Sequence, residues 1–292
     1  MLKKRRRNLM LLTVPGLLLI ALFIFVPLVN GTRVAFYNWN GYSKTMKFVG
    51  LENFQRLFTG DQRLGRITIN TLIYGFGSCL LQNVLGLAAA LFLDQKFRGR
   101  NAMRAILYMP IMISGYVMGK IMSYMFAFDN GVLNDLLMLF GMKEPIYWMK
   151  NSWVGVIIIT LVNSWQYMGL CMLIYLAGLQ GVSSTYIEAA AIDGANAWQR
   201  FTKIKLPLLI PAITTAVITN LIGGLKLYEM VVGLTNGGPD RQTTSLSQYI
   251  QLLYFDDERA GYSAAVGIFL FVLIMIFALP INAFLRRREV QA

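Results

Sequence analysis

The sequence contains no histidine, and this absence excludes several kinds of functional site. Histidine is the usual zinc ligand, the commonest general base in enzymes and the side chain that most readily changes charge near neutral pH. The two cysteines, Cys79 and Cys171, fall inside long apolar runs, where neither a disulfide nor a metal-binding pair is expected. We therefore expect no metal site in this chain.

Motifs that mark common catalytic sites are also missing. No G-x-x-x-x-G-K-[ST] phosphate-binding loop occurs, so the chain alone is not expected to hydrolyse ATP. Gly115 and Gly119, close to Lys120, have the wrong spacing for such a loop; they fit small-xxx-small helix packing, or are incidental glycines. Neither H-E-x-x-H nor G-x-S-x-G occurs, and the acidic residues lie in loops, which argues against a membrane enzyme.

Charged residues are scarce, at 14% of the chain, whereas hydrophobic residues make up 56% of its 292 positions. This balance is typical of a helical bundle in lipid. We predict an all-α, polytopic membrane bundle in which residues 1–292 form a single transmembrane domain. Six apolar runs are long enough to cross a bilayer. The predicted spans are Leu9 to Val29, Ile67 to Leu93, Ala105 to Phe126, Trp153 to Leu176, Leu208 to Tyr228 and Tyr262 to Phe284.

Basic residues are distributed unevenly between the loops on the two sides of this bundle. Because Lys and Arg are retained in the cytoplasm during insertion, the asymmetry predicts cytoplasmic N- and C-termini in a bacterial inner or plasma membrane. The net charge of +13 then reflects topology and contact with the lipid bilayer, and no nucleic-acid partner is expected. We interpret the first apolar run as an uncleaved span, since it is too long for a secretory signal. The basic clusters are Lys3 to Arg7; Lys96, Arg98, Arg100 and Arg104; Arg200, Lys203 and Lys205; and Arg286 to Arg288.

A polar segment separates the fourth and fifth apolar runs. Thr185 and Glu188 fit a capping box that starts a helix, so a short helix is predicted from Tyr186 to about Asp193. Gly194 then permits a sharp turn or a close backbone approach. A second short helix is predicted for Ala195 to Ile204. The segment is therefore expected to form a helix, turn, helix elbow.

The same segment carries a spaced pattern: E-A-A from Glu188, three residues, glycine, nine residues, then I-x-L-P ending at Pro207. This pattern resembles the EAA loop of permeases in binding-protein-dependent ABC importers. The resemblance implies that the coupling loop, residues 177–207, docks in a cleft of an ATP-hydrolysing subunit by inserting a helix in a groove. A dimer of those subunits would bind ATP and Mg²⁺, and this chain would carry no cofactor. The implied docking residues are Glu188, Ala189, Ala190, Asp193 and Gly194. Pro207 is expected in the first turn of the fifth span.

Resemblance extends over nearly the whole chain, to carbohydrate-uptake permeases that include the larger maltose-transporter subunit. It implies a type I ABC importer permease fold with a core at about residues 67–284. It also implies a second homologous permease, a sugar or oligosaccharide substrate and an extracellular sugar-binding protein. The chain lacks the extra spans and the large external insertion of the maltose subunit. The stretches that carry the resemblance are Pro15-Gly16, Phe36 to Trp39, Gly50 to Phe54, Asn70-Thr71, Leu234 to Asp240 and Gly261 to Ala265.

Polar residues inside spans are candidates for the substrate path, because such groups face the bundle interior or a water-filled cavity. Amides donate to and accept from sugar hydroxyls, and aromatic rings cover apolar sugar faces, so this composition suits a neutral carbohydrate. Hydrogen bonding between helices is the alternative role for the amides. Residues that share a face are Asn163, Gln166 and Tyr167 in the fourth span, and Asn220, Gly223, Gly224 and Leu227 in the fifth. Carried over from the maltose subunit, the sugar-contacting positions are Tyr167, Leu170, Asn220, Gly223, Gly224 and Leu227.

Three further charges lie near or within the spans. Lys226 and Glu229 are expected to pair with each other, although an anionic sugar would also suit them, and Lys120 fits either account. The alternative function is an ion-coupled secondary carrier acting without an ATPase. Such carriers normally place Asp, Glu or His inside spans as ion relays, and the predicted spans contain none.

Overall fold

The structure is a computed structural model that describes residues 13–289. Helices dominate it, and two short strands, β1 (Tyr37–Asn38) and β2 (Lys47–Phe48), pair antiparallel. The predicted basic cluster Lys3 to Arg7 lies outside the described residues, as does the start of the first predicted span. In chain order the helices are α1 (Thr13–Val34), α2 (Glu52–Thr59), α3 (Leu64–Leu93), α4 (Arg100–Met112), α5 (Gly115–Met125), α6 (Val132–Leu139), α7 (Ser152–Gln180), α8 (Ser184–Ile192), α9 (Ala197–Leu208), α10 (Ile210–Leu225), α11 (Glu229–Leu234), α12 (Leu246–Phe255) and α13 (Ala260–Arg286).

Four of these helices, α1, α3, α7 and α13, are each long and apolar enough to cross a membrane. They match the first, second, fourth and sixth predicted spans to within a few residues at most ends. The third predicted span is a bent pair, because α4 and α5 meet at 96°. The fifth predicted span matches α10, which forms a second bent pair, at 65°, with the preceding helix α9. The described chain therefore has six spans only if each bent pair counts as one. In either case the protein is a multi-pass membrane protein.

The bend between α4 and α5 is built from local backbone geometry and one side chain from another helix. Ile113 and Ser114 are extended, and the Ser114 hydroxyl accepts a hydrogen bond from the backbone N–H of Val117, which caps α5. The Gln166 amide of α7 donates to the carbonyl oxygens of Ile113 (2.8 Å) and Pro110 (3.4 Å). Backbone acceptors freed by a break in a membrane helix must be satisfied inside the protein, and Gln166 does so here.

The bend before α10 differs from the sequence-based prediction. Pro207 was expected in the first turn of the fifth span, but it lies within α9, directly after a π-helical stretch at Phe201–Lys205. The proline in the first turn of α10 is Pro211. Pro207 cannot donate a regular helical hydrogen bond, and the π-helical stretch before it accommodates this loss within α9. Helix α9 then ends two residues before α10 begins.

The chain divides into two compact units. The smaller unit comprises residues 13–62 and 249–270 of the described chain. In it the Asn53 amide donates to the carbonyl oxygens of Ala35 (2.8 Å) and Tyr37 (3.0 Å). One carboxylate oxygen of Asp61 accepts hydrogen bonds from the hydroxyls of Tyr249 and Tyr262, at 2.6 Å each. Polar contacts thus join chain segments that are about two hundred residues apart in sequence.

The larger unit comprises residues 63–248 and 271–289 of the described chain, and its core has two clusters, one formed by α3, α5, α7 and α11 and the other by α3, α7 and α10. Helices α5 and α11 pack closely within the same unit. A Cβ on Gly119 would come within 2.9 Å of the Cα of Gly233, so the two backbones touch. The small-xxx-small interpretation of Gly115 and Gly119 is therefore confirmed, because only small residues allow this approach.

Candidate functional site

The predicted elbow is a helix, turn, helix unit, but its first helix starts earlier than the sequence suggested. Helix α8 begins at Ser184, and the Ser183 hydroxyl caps it by accepting from the backbone N–H of Thr185 at 3.3 Å. The predicted capping box of Thr185 with Glu188 is therefore wrong. Three hydroxyl residues follow one another here, and the first of them takes the capping position.

The turn of the elbow depends on Gly194. Its φ is +82°, a left-handed conformation that glycine adopts without steric cost. The N–H of Gly194 donates to the carbonyl of Ala191 (3.2 Å), and the N–H of Ala195 donates to the carbonyl of Ala190 (2.9 Å). This is a Schellman motif, which ends α8 and satisfies its last carbonyls. The predicted sharp turn is confirmed; no atom outside the turn lies within 4 Å of a Cβ placed on Gly194.

The second helix of the elbow, α9, starts at a reciprocal capping box. The Asn196 side chain accepts from the backbone N–H of Gln199, and the Gln199 side chain accepts from the backbone N–H of Asn196, both at 2.9 Å. Helix α9 therefore begins two residues later than predicted and runs four residues beyond the predicted end, to Leu208. The chain passes from the elbow into α10 through a single bend at Leu209.

The docking residues predicted for the elbow all lie on its surface. Glu188, Ala189, Asp193 and Gly194 are exposed, and Ala190 is half-buried. The sequence analysis missed the exposed apolar side chains beside them, which are Tyr186, Ile192 and Trp198. Ile192 is 87% exposed and Trp198 is 71% exposed. Large apolar side chains this exposed on a polar connection are candidates for contact with another protein.

The elbow is tied to the end of α3. Lys205 Nζ in α9 lies 3.5 Å from Asp94 Oδ2, just after α3. The Arg104 guanidinium donates to the carbonyl of Leu93, the last residue of α3, at 3.0 Å. A displacement of the elbow would therefore act on α3 as well as on α10.

A cavity of about 180 Å³ lies between α3, α7 and α10 in the larger unit. It brings together seven of the eight residues predicted for the substrate path. Gln166 is the exception, because it is fully buried and bonds to the bend between α4 and α5. The lining residues are Gln82, Asn163, Tyr167, Leu170, Thr219, Asn220, Gly223, Gly224 and Leu227. That these residues contact a substrate remains a prediction.

The polar groups of the cavity differ in whether they already have partners. The Asn163 amide donates to the Ser78 hydroxyl at 3.0 Å, and its backbone carbonyl accepts from the Gln82 amide at 3.3 Å. Asn220 is only 6% exposed, and its amide nitrogen has no oxygen or nitrogen acceptor among the described residues, with only the weakly accepting Cys171 thiol beside it. A buried donor without a partner costs about 1–3 kcal/mol, so Asn220 is the group best placed to bond to a ligand in this cavity.

The two adjacent glycines of the cavity have different surroundings. A Cβ on Gly223 would meet nothing within 4 Å, so this glycine faces open space. A Cβ on Gly224 would come within 2.7 Å of the carbonyl oxygen of Tyr74 in α3. Gly223 therefore widens the cavity, whereas Gly224 allows α10 to approach α3.

Two lining residues, Gln82 and Thr219, were absent from the sequence-based site. A signal for Gln82 was present, since it is one of three amide side chains, with Asn70 and Asn83, within the apolar run of α3. This is the same criterion that identified Asn163 and Asn220. Thr219 had no signal of its own, because a threonine in a membrane helix commonly bonds to its own backbone.

The charged residues near the cavity are not paired as predicted. Lys226 and Glu229 form no ion pair in the part of the chain that the structure describes, so the predicted pairing is wrong. Glu229 instead starts α11 and lies against α5, where its Oε2 would be 3.0 Å from a Cβ on Gly115. The chain bends out of the helical conformation after Leu225, so the spacing of three residues does not place the two charges on one helix face.

Comparison with known proteins agrees with this architecture. Residues 82–290 match the family described as the binding-protein-dependent transport system inner membrane component. The multiple sugar-binding transport system permease MsmF of Streptococcus mutans is 31% identical over 260 residues, which cover 89% of each chain. The trehalose/maltose transport system permease MalF of Thermococcus litoralis is 30% identical over 92% of this chain and 90% of the relative.

Solved structures give the same result. A bacterial alginate ABC transporter, in complex with an alginate pentasaccharide-bound periplasmic protein, contains a chain with a TM-score of 0.83 and 26% identity. The match covers 99% of this chain and 97% of that one. The MetNI methionine ABC transporter, at a TM-score of 0.57 and 17% identity, shares the fold over 82% of this chain. The chain therefore belongs to the inner membrane components of binding-protein-dependent transport systems, the permeases of ABC importers.

Proposed function

We propose that this chain is one of two permeases that together form the path of an ATP-driven importer for a neutral sugar or oligosaccharide. The observation that carries the proposal is the elbow, in which a Schellman turn at Gly194 joins two short helices that expose Glu188, Ile192 and Trp198. Such a unit is suited to insertion into a groove of another protein.

The partner at the elbow is an ATP-binding subunit that also binds Mg²⁺. Ile192 and Trp198 would supply the apolar contacts that anchor the complex, and Glu188 and Asp193 would supply its charge. The elbow helix α9 leads directly into α10, and its Lys205 pairs with Asp94 just after α3. Movement of the elbow would therefore be transmitted to α10 and α3, which form two walls of the cavity. We place the elbow and both termini in the cytoplasm, in agreement with the basic clusters nearby.

The cavity supports a neutral sugar. Its nine lining residues include three amides, a tyrosine hydroxyl and a threonine, and none of them carries a formal charge. Amide and hydroxyl groups match the hydroxyls of sugars, whereas an acidic sugar would be expected to meet a cation. Relatives named for starch degradation products, multiple sugars, and trehalose and maltose agree with this class. The alginate transporter, which imports an acidic polysaccharide, is similar to the chain in fold.

A volume of about 180 Å³ in one chain is small for an oligosaccharide. A second, homologous permease facing this cavity would complete the path, and an extracellular sugar-binding protein would deliver the substrate. Nucleotide-driven closure of the ATPase dimer would then switch the pair of permeases between outward- and inward-open states.

The experiment that tests the proposal is purification of the chain from its own membranes in mild detergent, with mass spectrometry of the co-purified proteins. We expect an ATPase and a second permease with the unmodified chain. Glu188→Lys and Ile192→Ser should lose the ATPase, and Glu144→Lys, an exposed charge reversal far from the elbow in sequence, should retain it.

The opposite result would support a different class of transporter. If the chain is recovered alone in several detergents, and sodium- or proton-driven uptake by the purified chain does not depend on ATP, the ion-coupled carrier replaces the importer. The substrate class has a separate test. Proteoliposomes of the complete transporter should take up neutral oligosaccharides and not uronate oligosaccharides of the same length.

A further inference from the structure

A second, larger cleft lies at the Ser152 end of α7, at the opposite end of this helix from the elbow. Its volume is about 770 Å³, and it opens between residues 146–154 and the connection between α11 and α12. The family resemblance implies that the external loops, among them Ala127 to Lys150 and Glu229 to Gly261, receive a binding protein, but the sequence singles out no individual residue of this cleft. The lining residues are Ile146, Tyr147, Trp148, Lys150, Asn151, Ser152, Val154, Pro239 and Gln242.

One wall of this cleft is held by a single buried side chain. Asn134 of α6 is 1% exposed, and its amide oxygen accepts from the backbone N–H of Ile146 (3.1 Å) and from the indole N–H of Trp148 (3.0 Å). Its amide nitrogen donates to the carbonyls of Ile146, Ala127 and Phe128. Every hydrogen-bonding group of Asn134 is thus used to fix this wall.

The facing wall is held by α3. The Asn70 amide donates to the carbonyl oxygen of Gln242 at 2.6 Å, and the Tyr74 hydroxyl donates to the carbonyl of Thr243 at 2.6 Å. Both walls are therefore organised before any partner arrives. A preformed site loses less conformational entropy on binding than a flexible one.

The free polar groups of the cleft are hydrogen-bond donors. The Asn151 oxygen already accepts from the backbone N–H of Trp153 (2.9 Å), which leaves its amide nitrogen unbonded. The Ser152 hydroxyl accepts from Arg66 (3.1 Å) and donates to the Gln242 oxygen (2.8 Å), which leaves the Gln242 amide nitrogen unbonded. Lys150 is exposed and makes no ion pair with any described residue. Two amide nitrogens and one ammonium group call for an acceptor-rich, negatively charged group.

We propose that this cleft receives an acidic loop of the extracellular sugar-binding protein, with an Asp or Glu carboxylate bound by Lys150, Asn151 and Gln242. This inference rests on the proposed function. The aliphatic and aromatic walls, Ile146 and Tyr147 among them, pack against the apolar part of the loop. An apolar centre with a polar, charged rim is the usual composition of a protein interface.

A carboxylate could also come from an acidic sugar, but two observations favour the protein. The cleft lies at the end of α7, at Ser152 and Val154, whereas the cavity that suits the substrate lies at Asn163 to Leu170, at least nine residues further along the helix. That cavity is lined by uncharged residues, so nothing along it selects an anionic substrate.

The test uses the complete transporter in proteoliposomes, with purified, sugar-loaded binding protein added at increasing concentration. ATP hydrolysis is measured, and the concentration of binding protein at half-maximal stimulation is determined. Lys150→Glu should raise that concentration about tenfold, because a reversed rim charge repels the partner's carboxylate, while the maximal rate changes little. Lys150→Arg should resemble the unmodified protein, and added salt should reduce the difference between the variants.

The matched control is Lys143→Glu, which reverses an exposed lysine on the same connection but outside the cleft lining. It should leave half-maximal stimulation unchanged. Equal effects of the two reversals would overturn the proposal, as would no effect of either. Failure of the unmodified transporter to respond to any binding protein would instead contradict the proposed function.

A second measurement distinguishes protein from sugar as the source of the carboxylate. Tyr147→Cys, on the exposed rim, is alkylated at its thiol with a maleimide that carries a photoreactive group, and irradiation should cross-link it to the loaded binding protein. Replacing the acidic residue at the cross-linked position by lysine should restore the response of Lys150→Glu. If Lys150→Glu changes only the preference between neutral and uronate oligosaccharides, the cleft belongs to the substrate and the proposal is wrong.

Discussion

Gly223 and Gly224 are neighbours in α10, yet a Cβ on the first would meet nothing within 4 Å and a Cβ on the second would come within 2.7 Å of the Tyr74 carbonyl oxygen. Gly223 therefore affects the width of the cavity, whereas Gly224 affects the packing of α10 against α3. Substitution of each glycine by the same residue tests the two roles in one helix.

Gly224→Val should destabilise the protein, because its side chain must push α10 away from α3. Overpacking of this kind costs about 1–3 kcal/mol. Gly223→Val should keep the thermal stability of the purified permease and reduce uptake, more strongly for larger sugars. Thermal unfolding followed by size-exclusion chromatography, together with uptake of a mono- and a trisaccharide, measures both effects. Equal losses of stability in the two variants would contradict the assignment.

Asn220→Leu should lower sugar uptake without lowering stability. The unpartnered amide nitrogen of Asn220 is buried, and removing such a donor relieves a cost of about 1–3 kcal/mol. We therefore expect the midpoint of thermal unfolding to stay the same or rise while transport falls or changes its sugar preference. Association with the ATPase should not change. Unchanged uptake of every sugar tested would show that Asn220 does not line the path.

Gln166→Leu should have the opposite effects: lower stability, with no change in sugar preference. The side chain of Gln166 bonds to the carbonyls of Ile113 and Pro110, and its loss leaves the backbone at the bend without a donor. The cost of an unsatisfied buried acceptor is about 1–3 kcal/mol. Loss of Gln166 Oε1, which is buried without a partner, offsets part of the cost, but two backbone carbonyls lose their donor. The variant should unfold at lower temperature than Asn220→Leu, its matched in-span control. Normal stability of the variant together with a changed sugar preference would show that Gln166 contacts the substrate.

Gly194→Val and Gly194→Asn test the turn of the elbow. A β-branched side chain in a left-handed conformation costs about 1–2 kcal/mol, whereas asparagine tolerates it. Gly194→Val should weaken co-purification of the ATPase, and Gly194→Asn should affect it less. Because no described residue lies near a Cβ at this position, a loss with Gly194→Asp that exceeds the loss with Gly194→Asn, which carries a similar backbone strain, would arise at the partner surface. A complex of normal strength with Gly194→Val would argue against a role for the turn.

The elbow could be predicted from the sequence because its determinants are local. A glycine six residues after Glu188 ends one short helix, and polar residues follow that cap the next. The start of α8 could not be predicted in the same way, because Ser183, Ser184 and Thr185 are three consecutive hydroxyl residues that can each cap a helix. Only the path of the backbone selects Ser183.

The cavity was predicted only in part. Periodicity placed Asn163 and Tyr167 on one face of α7, and Asn220 and Gly223 on one face of α10. The contribution of α3 through Gln82 depends on how three helices pack, which no single helix specifies. Gln166 does not line the cavity because its amide donates to the carbonyl of Ile113 at the bend between α4 and α5. The position of that bend could not be predicted from α7 alone.

By itself the sequence determined that the chain enters a membrane as a helical bundle, that it lacks a phosphate-binding loop and that it carries a helix, turn, helix elbow between two apolar runs. Long apolar runs, basic clusters and capping residues act over a few turns of helix, so their effects can be predicted without knowing the partners of each residue. Only the tertiary structure decided which amides remain unpartnered, which glycine opens the cavity and where donors converge in a cleft beside Lys150. Those properties depend on the approach of segments that are far apart in sequence, because a hydrogen bond or a close contact is decided within a few tenths of an ångström.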